Sequence, residues 1–233
     1  MHQSAYDHMA LCVERYMPND RRYRVVDLGA RLSPGQKLTH RQLLSQRDVE
    51  YVGLDVQPGN NVDYVMRKPY RLPVPSNSTD IVISGQVFEH IPFFWASMLE
   101  IARVLRPGGY ALITAPSRGH QHSTYDCWRY YPDGYRAMAA YASLTLREAH
   151  TDFPPKNGHQ HDFGQIDTSK SYWGDSVGVF QKPAHYPRIR AGLVRTVTRW
   201  WANHVADLEG TPLPEPSPEI GRASCRERVL RLV

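Results

Sequence analysis

Eleven histidines in 233 residues stand out first, because imidazole is the side chain whose unperturbed titration falls near neutral pH. His120 and His122 lie in one Gly-His-Gln-His run, and His159 and His161 lie in a second. His90 directly follows Glu89, Asp126 comes four residues after His122, and Asp162 directly follows His161. A neutral histidine oriented by a carboxylate removes a proton from a hydroxyl efficiently near pH 7. His122, with Asp126 behind it, is therefore the first candidate base, and His90 is the second. The same side chains offer another chemistry. His120, His122, His159, His161 and Asp162 could gather a divalent metal, since imidazole and carboxylate suit zinc, manganese or nickel. HxH is a short motif, and proton chemistry without a metal is the preferred expectation. The plainer alternatives are surface loop residues for the HxH pairs and a turn-pinning role for His90.

Trp128, Arg129, Tyr130, Tyr172 and Trp173 form a second group. Aromatic faces and a forked guanidinium suit a sugar ring or a flat phenol. Aromatic residues are more often packing than recognition. These five lie in irregular stretches at 116–143 and 153–175, where loops carry contacts to ligands, and the expectation is an acceptor pocket.

The elements that must hold these residues alternate. Tyr6 to Tyr16 has helical spacing of Met9, Val13 and Tyr16. YRVVDLGA closes a β-branched run on Asp27 and Gly29, and EYVGLDV ends on Asp55. NVDYVM is a short third strand, and DIVISG a fourth. A helix from Phe93 to Leu105 stops at RPGG, which opens the strand YALITAP. A short helix at Asp133–Tyr141 and strands LTLREAHTDF and SVGVFQKP complete the set. Strands too apolar to face water, alternating with helices, predict an α/β, doubly wound, Rossmann-like sheet of seven strands. It is mostly parallel, with helices on both faces and an antiparallel last strand. Ligands of such sheets bind beyond the carboxyl ends of the strands. Asp55 is there a carboxylate able to accept both hydroxyls of a ribose.

The run DIVISGQVFEHI, a helix, and then EIARVLRPGGYALITAPS resembles the class I S-adenosylmethionine-dependent methyltransferases, in particular the type 11 group. The resemblance covers roughly Tyr23 to Lys182. The stretch PSRGHQHSTYDCWRYYPDG resembles a narrower bacterial subgroup that tailors glycans or other secondary products. The resemblance implies S-adenosyl-L-methionine as cofactor. It places Asp27 and Gly29 at the methionine end with Ala30 lining it, Asp55 on the ribose, Val56 beside the adenine and Tyr70 on the adenine side. Gln86 falls near the transferring methyl. Two departures stand out. Arg67 and Lys68 occupy the region where the family carries an acidic residue, and Arg31 with a missing second glycine alters the first loop.

These features together predict methyl transfer to a hydroxyl of a small-molecule or saccharide-type acceptor. A nucleotide-dependent oxidoreductase on a similar sheet is disfavoured by the absence of GxGxxG. A methyltransferase-like, non-catalytic partner subunit is kept in view by Arg31 and Lys68. The expected organisation is a domain at 1–183 whose first 20 residues form the N-terminal helix. A basic amphipathic helix at 184–210 and a tail at 211–233 follow. Arg188, Arg190, Arg195 and Arg199 alternate there with Ile189, Leu193, Val197, Trp200 and Trp201; docking on the domain or on a second copy is preferred to a membrane surface. Residues 219–233 read like a translated sequencing adaptor and are excluded from functional reasoning.

A formal net charge of +5 without a basic stripe argues against nucleic acid. Cys12, Cys127 and Cys225 lack disulfide or zinc spacing. No apolar run reaches bilayer length, and MHQSAYDHMA lacks the layout of a signal peptide. The expected location is the cytoplasm, with a homo-oligomer possible.

Overall fold

The computed structural model describes residues 3–123, 125–151 and 173–205. Strands β1 (Tyr23–Leu28), β2 (Val49–Asp55), β3 (Tyr64–Val65), β4 (Thr79–Gly85), β5 (Leu105–Arg118), β6 (Thr145–Thr151) and β7 (Gly174–Gln181) make one sheet in the order β3-β2-β1-β4-β5-β7-β6. All neighbours up to β5 pair in parallel, whereas β7 runs antiparallel to both β5 and β6. The dinucleotide order 3-2-1-4-5-6 has no antiparallel strand inserted beside its fifth. The oxidoreductase expectation therefore loses its structural basis.

The period-two alternation of strand side chains assigns each face its helices. Val26, Val82, Ile113 and Phe180 point to one face and pack with Met98, Ile101, Tyr135 and Met138. These come from α3 (Phe94–Val104) and α4 (Pro132–Ala142). Val25, Ile81, Leu112 and Val179 point the other way, onto Met9, Cys12 and Val13 of α1 (Gln3–Tyr16). Proline at the first turn of α4 and left-handed Ser143 (φ 55°) at its end bound that helix, as helix-end stereochemistry requires.

Two local features shape the chain after β1 and the entry to β5. The stretch after Ser33 holds only one helical turn, α2 (His40–Leu43), fixed by a reciprocal capping box between Thr39 and Gln42. RPGG does not precede β5 but lies inside it. The β4–β5 register shifts between Thr79 and Ile81, and Gly108 (φ +82°) absorbs the irregularity.

The last helix, α5 (Arg188–His204), docks by its charged side. Arg195 and Arg199 approach Glu100 at 3.6 and 3.7 Å, and Glu100 is fully buried beneath Arg103. Ile189, Leu193, Val197, Trp200 and Trp201 stay exposed. No helix among the described residues is long and apolar enough to cross a membrane.

Candidate active site

A cavity of about 680 Å³ opens beyond the carboxyl ends of β1 and β4, within the range of small-ligand and cofactor sites. Its floor is the turn after β1. Gly29 and Ala30 donate their amides to the Leu54 carbonyl at 2.8 and 3.0 Å, tying this turn to β2. Gly29 has φ +81°, and a Cβ built there would lie 2.2 Å from a Val87 methyl. Only glycine combines that conformation with so close an approach.

Behind the floor, Asp27 is buried with a split environment. One oxygen takes a hydrogen bond from the Tyr51 hydroxyl and lies 3.0 Å from His40 Nδ1. The other, Oδ1, has no hydrogen-bond partner. Burial, followed by the charge of Asp27, pushes the Tyr51 phenol far above its ordinary pKa, so it remains a donor. Asn61 completes the wall, donating to the Ala30 carbonyl at 2.9 Å. An orphaned, buried carboxylate oxygen beside an open cavity is costly without a ligand donor, and an ammonium would satisfy it.

Gln86 follows β4 with φ 58°, a left-handed conformation rare for a residue with a side chain. Its amide donates to the Thr114 carbonyl at 2.9 Å, while its side chain donates to Asp175 at 3.1 Å. Asp175 is fully buried and also accepts from Ser4 at 2.6 Å, so the start of α1 is anchored at the cavity.

The opposite wall is imidazole. His90 ends a single 3-10 turn at Phe88–His90, and its Nδ1 bonds to the Tyr125 carbonyl. A carbonyl only accepts, so Nδ1 carries the hydrogen and a neutral ring keeps its lone pair on Nε2. His122 repeats this arrangement, with Nδ1 3.0 Å from Asp126 Oδ2. The two rings lie 4.9 Å apart between centroids, and Trp173 packs edge-on against His122 at the same distance. Burial lowers the pKa of His122, against the opposing pull of Asp126, and favours the neutral ring at pH 7. Burial alone would raise the pKa of Asp126, but Arg129 and the His122 amide outweigh it and hold it at about 2. Beside them Glu89 is fully buried, its pKa pushed up to about 8 mainly by burial, with neither oxygen in a hydrogen bond.

Asp27, Gly29, Ala30, Gln86, His90, His122 and Trp173 thus share one cavity. Asp55 stands at its edge rather than in its lining. Its oxygens accept the amides of Arg31 at 3.1 Å and Gln57 at 3.0 Å. Val56 is exposed just beyond. Tyr70 is corrected: it is buried against Phe93 and receives the Phe93 amide at 3.2 Å, away from the cavity. Tyr130 is likewise a core residue, stacked on Tyr135 with its hydroxyl donating to the Phe88 carbonyl at 3.0 Å. Trp128 donates to the carbonyls of Ile91 and Pro92 at 3.1 and 3.2 Å. Arg129 is engaged by both oxygens of Asp126, at 2.6 and 2.8 Å. Of the expected acceptor group, Trp173 alone lines the cavity among the described residues. His120 is exposed, with its ring against Trp173, and Tyr172, His159, His161 and Asp162 lie outside the described residues.

Sequence reasoning passed over His40, Asn61, Asp175, Ser4 and the side chain of Glu89. The Glu89-His90 pair was visible as a motif, but nothing in the spacing shows that His122, 32 residues on, comes to meet it.

A methyltransferase domain family matches residues 31–113. An uncharacterized methyltransferase of Mycobacterium ulcerans (strain Agy99) is 27% identical over 179 residues, covering 69% of this chain and 63% of the relative. In these matches the chain is similar to the class I S-adenosylmethionine-dependent methyltransferases. It spans under two thirds of the length of the first curated relatives it matches.

Solved structures show the same methyltransferase fold. Burkholderia thailandensis 1,6-didemethyltoxoflavin-N1-methyltransferase, with bound 1,6-didemethyltoxoflavin and S-adenosylhomocysteine, is 13% identical. It has a TM-score of 0.55 over 77% of this chain and 79% of its own. The cyclase SpnF is 17% identical, with a TM-score of 0.56 over 76% of this chain and 80% of its own. One fold thus carries both a methyltransferase and a cyclase, so activity resides in the site rather than in the fold.

Proposed function

We propose that this methyltransferase transfers the methyl group of S-adenosyl-L-methionine to a hydroxyl of a small-molecule or saccharide-type acceptor. The observation that carries the reading is the wall formed by His90 and His122, two rings with their Nδ1 atoms occupied, lining the same cavity as Gly29 and Gln86.

The cofactor fits this chain's residues. The unpartnered Asp27 oxygen suits the amino group of its methionine end, and the Gly29 turn lets that end approach the backbone. Asp55 is our assignment for the ribose hydroxyls, each of its oxygens keeping a further lone pair. Val56 covers the adenine. The sulfonium supplies an already activated methyl group. The protein's part is to align the acceptor with it and relieve the hydroxyl of its proton. We assign that activation to His90 and His122, with Asp126 orienting His122 and Trp173 flanking the acceptor.

Calorimetric titration with S-adenosylmethionine and with NAD tests the cofactor, expecting binding of the first alone. Mass spectrometry of the products from matched hydroxyl and amine acceptors then tests the nucleophile. Methylation of amines but not hydroxyls removes the oxygen assignment, and failure to bind S-adenosylmethionine removes the reading altogether.

A further inference from the structure

Glu89 poses a problem that the proposed methyl transfer does not solve. Its side chain is fully inaccessible, and neither carboxylate oxygen has a hydrogen-bond partner. A carboxyl group buried in that way is expensive unless something compensates it. His90 Nε2 lies 3.6 Å from Glu89 Oε1, beyond hydrogen-bond distance. One ligand atom from each of Glu89, His90 and His122 falls within 4.8 Å of the others. Both histidines also have their Nδ1 atoms tied down, by the Tyr125 carbonyl and by Asp126. Holding the far nitrogen on a carbonyl or carboxylate is how proteins orient metal-binding imidazoles.

We propose that Glu89, His90 and His122 form a three-ligand site for a divalent first-row transition cation at the acceptor side of the cavity. Two imidazoles and one carboxylate suit zinc, manganese, iron(II) or cobalt better than magnesium, which prefers oxygen ligands and retained water. The HxH pairs in the sequence pointed to a different set of ligands. His120 takes no part in this cluster, and the Glu89-His90 dipeptide supplies two of its three members.

Three protein ligands leave coordination positions open, as catalytic rather than structural sites do. Resting on the proposed oxygen acceptor, an open position would take the acceptor hydroxyl and lower its pKa, with His90 and His122 then activating it as ligands rather than as the bases themselves. The O–H bond then breaks with its proton leaving to solvent. The oxygen's electron pair forms the new O–CH₃ bond as the C–S bond of the sulfonium breaks, its electrons returning to sulfur as a neutral thioether.

The test uses tag-free full-length protein stripped with a chelator and titrated with Co²⁺, followed by calorimetry and by visible ligand-field absorption. One equivalent is expected to bind, with an absorption band that free Co²⁺ lacks. Glu89→Gln and His122→Ala should each weaken Co²⁺ at least tenfold, whereas His120→Ala should leave it within twofold. Absence of a stoichiometric site, or Glu89→Gln binding Co²⁺ as wild type does, overturns the proposal. Glu89→Gln is nearly isosteric and keeps the test decisive if His122→Ala fails to fold. Titration with S-adenosylmethionine on the same samples separates the two readings. Loss of cofactor binding with the Co²⁺ site intact removes the proposed function, and the converse removes the metal site alone.

Discussion

His90 and His122 meet at 4.9 Å between ring centroids, brought together by a short turn after β4 and by the loop that follows β5. Neither ring is free to choose its tautomer, because each Nδ1 faces an oxygen that accepts. The consequence is two Nε2 lone pairs on one wall. His122→Ala should therefore lower kcat by roughly 10²–10⁴-fold, the usual worth of a positioned proton acceptor or its equivalent. Affinity for S-adenosylmethionine should stay within twofold, because the proposed function puts this ring on the acceptor's side. Wild-type turnover in His122→Ala would remove the residue from the chemistry.

Asp55 tests the cofactor end. Each charge-assisted hydrogen bond to a ribose hydroxyl is worth about 1.5–3 kcal/mol, so Asp55→Ala should raise the Kd for S-adenosylmethionine at least tenfold. The same carboxylate holds the amides of Arg31 and Gln57, and the variant should also melt somewhat earlier. Asp55→Asn keeps one carbonyl oxygen and should lie between the two. Undiminished affinity in Asp55→Ala would leave the carboxylate with the loop alone.

The floor of the cavity makes a steric prediction. Alanine at Gly29 would carry its Cβ to 2.2 Å from Val87 while holding φ at +81°. Left-handed backbone and overpacking together cost roughly 2–4 kcal/mol. Gly29→Ala should lower the denaturation midpoint accordingly and weaken cofactor binding. Adding Val87→Ala should recover part of the stability, since the two residues touch. Additive losses in the double variant would show that the contact is not the cause.

How far the sequence reveals this molecule differs between fold and site. β1, β4 and β7 are legible because buried strands of a two-sided sheet must be nearly continuous apolar runs, and YRVV, DIVIS and SVGVF are such runs. The position of Asp27, Gly29 and Gln86 beside a cavity is legible because strand ends locate one whatever the packing details. Tyr70 and Tyr130 were misplaced for one shared reason. A tyrosine buries its ring as readily as it binds a ligand, and both found backbone partners for their hydroxyls inside the protein. Glu89 and His40 illustrate the opposite difficulty. Their surroundings come from distant segments, His40 meeting Asp27 across 13 positions of chain and Glu89 meeting His122 across 33, and no local pattern encodes that approach. RPGG is legible as the end of α3, but its absorption into β5 depends on a register shift against β4.

The pair Asp126–Arg129 gives a pH dependence with a defined sign. Asp126 titrates at about 2 in the folded protein against an ordinary 3.8. Its side chain is fully inaccessible, and both oxygens are engaged by Arg129. A folded-state pKa below the unfolded one means that the unfolded chain binds the proton first as the solution is acidified. The stabilisation from this group is therefore complete above about pH 4 and disappears as the pH falls through about 2, a loss of about 2 kcal/mol. Asp126→Asn carries no such charge and should start less stable at pH 6, because Arg129 loses its partner. Between pH 5 and pH 2 its unfolding free energy should then fall less than that of wild type by the same 2 kcal/mol or so. Urea titrations at fixed pH on chelator-treated samples measure this difference directly. Parallel pH curves for the two proteins would mean that the Asp126 carboxylate is no better accommodated in the fold than in the unfolded chain, and the orienting role assigned to it beside His122 would lose its electrostatic basis.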